Sequence, residues 1–326
     1  MLWHKRPSGV TMVEVLVVMA IIAVLVVVLL PAIQSVRATA RRAECQNHMR
    51  QVGLAISAFE SAFGFLPSAA YGRPYEYIRN GRRPPGDVIA STFTDLLPFI
   101  DEQPIADQYD WSKDWFAAEN QQAVNCQIST YRCPASPGND VQTGIGSGGV
   151  TEPSRTAAVG DYSAVYSWGF PLAVPANPAN YDIWGVSALS PVLERGGYAQ
   201  PRLVRVTDGL SRTLTVVEQS DHGQRWVGRT MVDASPPNAK AWAPWAGESC
   251  TWILSYTADA KTWSPTGLGP GNINANNSQG IYSFHDGGAN VVLLDNSVHF
   301  LSEQIDALVL FALVTRSRGE SVEVPR

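Results

Sequence analysis

Hydrophobic positions along this chain fall into three successive patterns. Residues 15–30 form a run without one polar side chain, and Glu14 stands at its head. Beyond Pro31 the apolar positions thin to a stripe. Cys45, Met49, Val52, Ile56, Phe59 and Phe63 recur at alternating spacings of four and three, which places them on one side of a helix. Arg41, Arg42, Glu44, Gln46, Asn47, Arg50 and Gln51 fall between them and form the solvated side, and Gly64 and Pro67 are stop signals. The pattern predicts one helix over residues 10–63, on the order of 75 Å at 1.5 Å per residue. Its first half is apolar all round, suited to lipid or to the core of a filament. Its second half is amphipathic, suited to lying on a sheet.

The third regime is the period-two pattern of the C-terminal third. Residues 281–284, 290–294 and 297–301 read as three strands of a meander over 281–301. His285-Asp286-Gly287-Gly288 is the turn after the first, and Asp295-Asn296 is a two-residue hairpin turn, where positive φ favours Asn, Asp and Gly. Ser302 is placed to cap a helix over 303–316 with the face Ile305, Leu308, Val309, Ala312 and Leu313, closed by Arg316, Arg318 and Gly319. Glycine-rich residues 138–155 and residues 171–180 read as loops. The expected fold class is α+β: a long helix on a mostly antiparallel sheet, with long loop insertions and a short C-terminal helix. The expected divisions are 1–9 as a leader, 10–33 and 34–66 as the two helix halves, and 67–326 as a β-rich globular part.

Several readings fit the N-terminal segment alone. A secretory signal would use Lys5 and Arg6 as its basic start and Ala38-Thr39-Ala40 as its cut site. A plain anchor needs about 20 apolar residues, which residues 10–33 supply if Glu14 is tolerated. A buried core helix is the third. A carboxylate inside a membrane span costs about 2.5–3.5 kcal/mol or more and calls for a partner. The basic leader closed by Gly9, the new terminus at Val10, Glu14 five places after the glycine and Pro31 together resemble type IV prepilins and type II secretion pseudopilins. That resemblance implies cleavage after Gly9 by a prepilin peptidase, methylation of Val10, pairing of Glu14 with a neighbouring subunit's amino terminus, and a helix kink at Pro31. It also implies partners: copies of the chain or related pseudopilins, the assembly machinery and the inner membrane. The body of the protein would then lie in the periplasm or on a surface filament. Basic residues counted alone (Lys5 and Arg6 before the span, Arg37, Arg41, Arg42 and Arg50 after it) would place the C-terminal side in the cytoplasm, against the resemblance.

A second resemblance covers the rest. A large bacterial family of prepilin-like proteins ends in His, nine residues, then Asp-Gly. Here the positions are His285, Asp295 and Asn296, with asparagine standing for the glycine. Arg132-Cys133-Pro134, Thr207-Asp208-Gly209 leading to a strand over 213–218, and Leu96-Leu97-Pro98-Phe99-Ile100-Asp101-Glu102-Gln103 are similar to further pieces of that family.

Composition narrows the chemistry. The net charge of −5 and pI near 5.6 show no nucleic-acid footprint. Only 16% of residues are charged, as expected for a loop-rich, sheet-rich exported chain. No nucleophile elbow, phosphate-binding loop or Cys-x-x-Cys pair occurs, so the chain reads as non-enzymatic, with an unrecognised hydrolase as the remote alternative. His285 is expected to hydrogen-bond the backbone of a neighbouring turn and fix the sheet edge. No histidine has a partner at zinc-finger spacing, so no metal or other cofactor is expected. Asn272-Ile273-Asn274-Ala275-Asn276 alternates oxygen donors without a carboxylate and reads as a solvated loop rather than a calcium site. Cys45 is expected to pack as a small apolar residue, and Cys133 to pair, if at all, with Cys126 or Cys250. Trp226, Trp242, Trp245, Trp252 and Trp263 read as a packed face or, where exposed, as a glycan- or protein-binding surface. The latter is the alternative to assembly: an anchored surface module that does not polymerise.

Overall fold

The structure is a computed structural model that describes residues 12–69, 90–147, 150–169, 187–190, 192–194, 197–199, 201–237, 239–319 and 324. The fold is α+β. Helix α1 (Met12–Phe63) is continuous over 52 residues, about 78 Å at 1.5 Å per residue. Pro31 lies inside it and removes the hydrogen bond its nitrogen would make one turn back. Gly64 ends it at φ +76°, its N–H donating to the Glu60 carbonyl at 2.7 Å. That left-handed position is the ordinary place for a C-terminal glycine.

Residues 12–41 are exposed throughout, and burial begins at Cys45. From there Cys45, Met49, Val52, Gly53, Ala55, Ile56 and Phe59 are buried, as the stripe predicts. They pack on a five-stranded sheet in the order β11-β10-β6-β3-β9. Its strands are β3 (Tyr162–Trp168), β6 (Leu214–Glu218), β9 (Cys250–Ile253), β10 (Gly288–Leu293) and β11 (Val298–Ser302). All pairs are antiparallel except β3 with β9.

The sheet is covered on both faces, which is why β6 and β10 are buried at every position rather than at alternate ones. Ala164, Val216 and Val292 face the cluster that contains α1. Val165, Val217, Val291 and Leu293 face a second cluster with α6 (Ala307–Val314), where Trp168 meets Phe311 edge-on at 5.5 Å. Short helices α2 (Thr92–Leu96), α3 (Gln103–Gln108) and α4 (Gln121–Val124) extend the first cluster, and α5 (Ala239–Trp242) flanks it. Three two-stranded hairpins complete the described strands: β1 (Val141–Ile145) with β2 (Glu152–Ala158), β4 (Val192–Glu194) with β5 (Gly197–Ala199), and β7 (Arg225–Val227) with β8 (Thr230–Asp233).

Several expectations are corrected. Residues 281–284 are not a strand of a meander: Ile281 and Tyr282 make isolated parallel bridges to Ile273 and Gln219. Their side chains are buried, but Ser283 and His285 turn the backbone away from a ladder. The C-terminal helix begins at Ala307, not 303. Asp306, not Ser302, caps it, accepting from Leu308 N at 2.8 Å. Leu308 on the expected apolar face is 55% exposed, and Leu310, Phe311, Leu313 and Val314 carry the packing. Residues 138–155 include β1 and the start of β2 rather than forming only a loop. Residues 171–180 lie outside the described residues. The asparagine run is not solvated. Asn272, Asn274 and Asn276 are buried and donate to Ile305 O, Gly288 O and Ala260 O.

The largest correction concerns the cysteines. Cys45 forms a disulfide with Cys133, closing 88 residues of chain, so Cys133 pairs with neither Cys126 nor Cys250. The stripe does bury Cys45, but the residue it meets across the interface is the cysteine of Arg132-Cys133-Pro134. A cross-link over a loop this long contributes about 2–5 kcal/mol. Cys45→Ala combined with Cys133→Ala is expected to lower stability by that amount, read as a reduced urea midpoint of the full chain in detergent with a steeper slope, because the unfolded chain without the cross-link is less compact.

Candidate functional site

The sequence puts chemistry-bearing side chains in two places: the head of α1 and the junction of α1 with β6 and β10. At the head, Glu14 lies in the first turn of α1, exposed, and Gly9 and Val10 lie outside the described residues. Around it, the valine, leucine and isoleucine side chains of residues 12–30 are each about half or more exposed, with none of the described residues burying them. The segment is long and apolar enough to cross a membrane. A surface this large and apolar needs lipid or like helices around it.

At the junction, β6 ends in Glu218, fully buried. Val217 pairs with Val291, so Glu218 lies level with Asn290 on β10. Its Oε2 accepts from Asn290 N at 2.7 Å, and its Oε1 from Asn290 Nδ2 at 3.0 Å and from His285 Nε2 at 3.2 Å. Gln46 of α1 donates to Asn290 Oδ1 at 3.0 Å and so ties the helix to this group. The disulfide lies against the same atoms: Cys133 Sγ is 3.5 Å from His285 Nε2 and 3.8 Å from Glu218 Oε1. His285 thus points inward at a carboxylate and does not bond a neighbouring turn, as its sequence position suggested. Its backbone does hold the edge. Arg229 donates to Ser283 O and His285 O, both at 2.7 Å.

Beside this group runs a second buried polar seam. Arg132 Nη1 and Asp161 Oδ2 form an ion pair at 3.1 Å whose N–H is not aligned for a hydrogen bond. Asp161 also accepts from Cys133 N and Asp221 N, both at 2.9 Å. The Arg132 carbonyl receives Tyr162 Oη at 3.3 Å and lies 2.9 Å from His48 Nδ1 of α1. Burial pushes the Asp161 carboxyl up, against the pull of Arg132. Burial also pushes Asp221 up to about 6, opposed by the Trp226 indole N–H that donates to it at 2.7 Å. His222, buried next to it, is driven down to about 4 by desolvation, opposed by its contact with Ser278 O.

The signature turn is seated on the helix. Asn296 has φ +68°, and its Oδ1 accepts from Ser57 Oγ at 3.0 Å, while Asp295 Oδ1 accepts from Ser297 N at 3.0 Å. Thr207-Asp208-Gly209 receives the segment that follows α6: Asp208 accepts from Arg318 N and Gly319 N at 2.9 and 2.8 Å. Of the five tryptophans, Trp245 is buried and Trp226 and Trp242 half-buried, whereas Trp252 and Trp263 are exposed. The sequence reading missed Glu218, Asn290, Gln46 and the Cys45–Cys133 pair. A glutamate directly after Val216-Val217 at the end of a strand was the available signal, since only a paired carboxylate is stable in a buried strand.

Two predictions follow from this geometry. Asp221 binds its proton more tightly folded than unfolded, so its contribution is present below pH 4 and is lost as pH rises through about 6. His222 binds its proton less tightly folded, so its contribution is present above pH 6.5 and is lost as pH falls through about 4. The two slopes oppose each other between pH 4 and 6. Asp221→Asn is expected to leave stability rising with pH across that window, and His222→Asn to leave it falling, by about 2–3 kcal/mol in each case, read by urea denaturation at pH 4 and pH 6.5. At the signature turn, Asn296→Gly relieves about 1 kcal/mol of backbone cost but loses the Ser57 hydrogen bond of similar worth, so its melting temperature stays close to the parent's. Asn296→Val loses both and is expected to cost about 2–3 kcal/mol in the same melt.

Residues 4–30 match the prokaryotic N-terminal methylation motif, the mark of a prepilin-peptidase substrate of pilin or pseudopilin type. No curated protein and no solved structure matches the chain significantly. Residues 34–308, most of the chain and both halves of the buried junction, match the family described as Protein of unknown function (DUF1559), and the chain belongs to that family.

Proposed function

We propose that the protein is a non-catalytic subunit of a pseudopilus or type IV pilus-like filament, processed after Gly9 and methylated on Val10. The observation that carries this reading is the half-helix of residues 12–41: exposed in the isolated chain, almost wholly apolar up to Ile33, and headed by a single carboxylate within the matched methylation motif. Before assembly the segment lies in the inner membrane with the body of the protein outside the cytoplasm. On assembly, like helices replace the lipid, and Glu14 meets the amino terminus of a neighbouring copy or a related pseudopilin. A buried carboxylate near a buried ammonium is the pairing that lets both leave water. Calcium has no part in this reading, since the Oδ1 atoms of Asn272, Asn274 and Asn276 that it would need accept from Ser255 Oγ, Ser283 N and Ser278 N.

Exposed Trp252 and Trp263 support a second reading, an anchored module that binds glycan or protein without polymerising. Three measurements test the readings. Mass spectrometry of the native N-terminus is expected to give N-methyl-Val10, and an intact Met1 or a cut after Ala40 would defeat the proposal. Glu14→Ala is expected to insert in the membrane normally yet lose incorporation into filaments by an order of magnitude or more. Normal incorporation would defeat the role given to Glu14, whereas absence of the parent chain from filaments, with glycan binding lost on Trp252→Ala, would favour the anchored module.

A further inference from the structure

The junction under α1 brings together four groups that the sequence keeps far apart. One sulfur each from Cys45 and Cys133, a carboxylate oxygen of Glu218 and a ring nitrogen of His285 all lie within 4.8 Å of one another, and all four residues are buried. Three of the separations are already those of a tetrahedral shell. Ligands at about 2.0–2.3 Å from zinc stand roughly 3.3–3.8 Å apart. Here His285 Nε2 is 3.2 Å from Glu218 Oε1 and 3.5 Å from Cys133 Sγ, and Cys133 Sγ is 3.8 Å from Glu218 Oε1. A second observation points the same way. Glu218 is fully buried, and among the described residues its ion-pair partner is His285 rather than a lysine or arginine. Buried carboxylates are paired or coordinate metals. The carboxylate is also held in orientation by Asn290 N and Nδ2, with Gln46 behind Asn290, as outer partners hold metal ligands.

We propose that the Cys45–Cys133 disulfide and a closed zinc site are alternative states of this junction, the reduced chain holding one zinc ion through Cys45, Cys133, Glu218 and His285. The chemistry balances with a dithiol as reductant. The dithiol gives two electrons and two protons to the S–S bond, is itself oxidised to a cyclic disulfide, and leaves Cys45 and Cys133 as thiols. Zinc then displaces one proton from each thiol, and the proton on His285 Nε2 shifts to Nδ1 so that Nε2 can ligate. The sulfurs part from bonded to nonbonded distance, and zinc takes over the cross-link between α1 and the segment at Cys133. Two thiolates with an imidazole suit zinc over the harder divalent ions. Burial leaves no open coordination position, so the site is structural rather than catalytic.

The proposal does not depend on filament assembly, and its test uses the full chain in detergent with Cys126→Ser to remove the half-buried free thiol. The protein is reduced anaerobically with a dithiol, freed of it by gel filtration, and titrated with cobalt(II). The expected result is one cobalt per reduced chain with intense thiolate-to-metal absorption, displaced by one equivalent of zinc, and no such signal from the unreduced chain. Cys133→Ser is expected to remove the signal. Glu218→Gln, which keeps the shape of the group, and His285→Ala are each expected to weaken binding about tenfold or more. A reduced chain that keeps its near-ultraviolet dichroism but binds no cobalt overturns the proposal. So does a chain that loses its tertiary structure on reduction and does not recover it with zinc, or cobalt binding indifferent to Glu218→Gln and His285→Ala.

Discussion

The seating of the second half of α1 on the sheet is the constraint on which the rest of the structure depends. The helix comes close because Gly53 has no side chain: a Cβ there would stand 2.9 Å from Val292 Cγ1 and 3.4 Å from Asn296. At that approach Met49, Val52, Ile56 and Phe59 reach the floor made by Ala164, Val216 and Val292. The same approach brings Ser57 to the Asn296 turn, Gln46 to Asn290, and Cys45 to Cys133. A helix held a few ångströms further out would make none of these contacts. Arg42 completes the row, its guanidinium stacked 3.4 Å over the ring of Phe300 on the edge strand β11.

A core that also encloses Glu218, Asp161, Asp221 and His222 is expensive to form. Each carboxylate is held by backbone N–H groups or an indole, and each loses solvation that its partners restore only in part. An apolar replacement of similar volume would fill the same space. What the polar groups add is position. Glu218 is satisfied only when β10 stands in the register that presents Asn290, and Asp161 only when residues 132–133 and 221 converge on it. A slip of one residue would strand these charges as well as turning the apolar side chains to the wrong face.

The architecture was legible where one physical rule governed a long stretch. The stripe from Cys45 to Phe63, the all-apolar run before it, the strands at 214–218, 290–293 and 298–302 and the positive-φ turn at Asn296 all follow from local periodicity and turn chemistry. Local rules failed where distant segments decided the outcome. Ile281-Tyr282 has the pattern of a strand, yet the Ser283 hydroxyl takes the His285 N–H and the Gly288 carbonyl receives that hydroxyl, which closes a turn instead. Asn272, Asn274 and Asn276 look solvated because nothing nearby in sequence shows the carbonyls of 305, 288 and 260 that occupy them. Cys45 was read correctly as buried and wrongly as unpaired, since helical spacing tells which face is covered and not by what. Glu218 and His285 stand 67 residues apart and meet only through the sheet register.

Cys45 is also the first buried residue of α1, at the point where the helix leaves the body of the protein. The exposed shaft before it is about 50 Å of continuous helix at 1.5 Å per residue. Any pull along that shaft reaches the globular part at Cys45, and there it passes through a covalent bond into the segment at Cys133. That segment is anchored in turn by Asp161 and by the Tyr162 hydroxyl on the central sheet. Tension therefore bypasses the apolar contacts of Met49 to Phe59, which would otherwise be peeled one after another from the shaft end. The disulfide makes the protein a bolted joint, in which the chain can be pulled by its exposed shaft without the globular part coming loose.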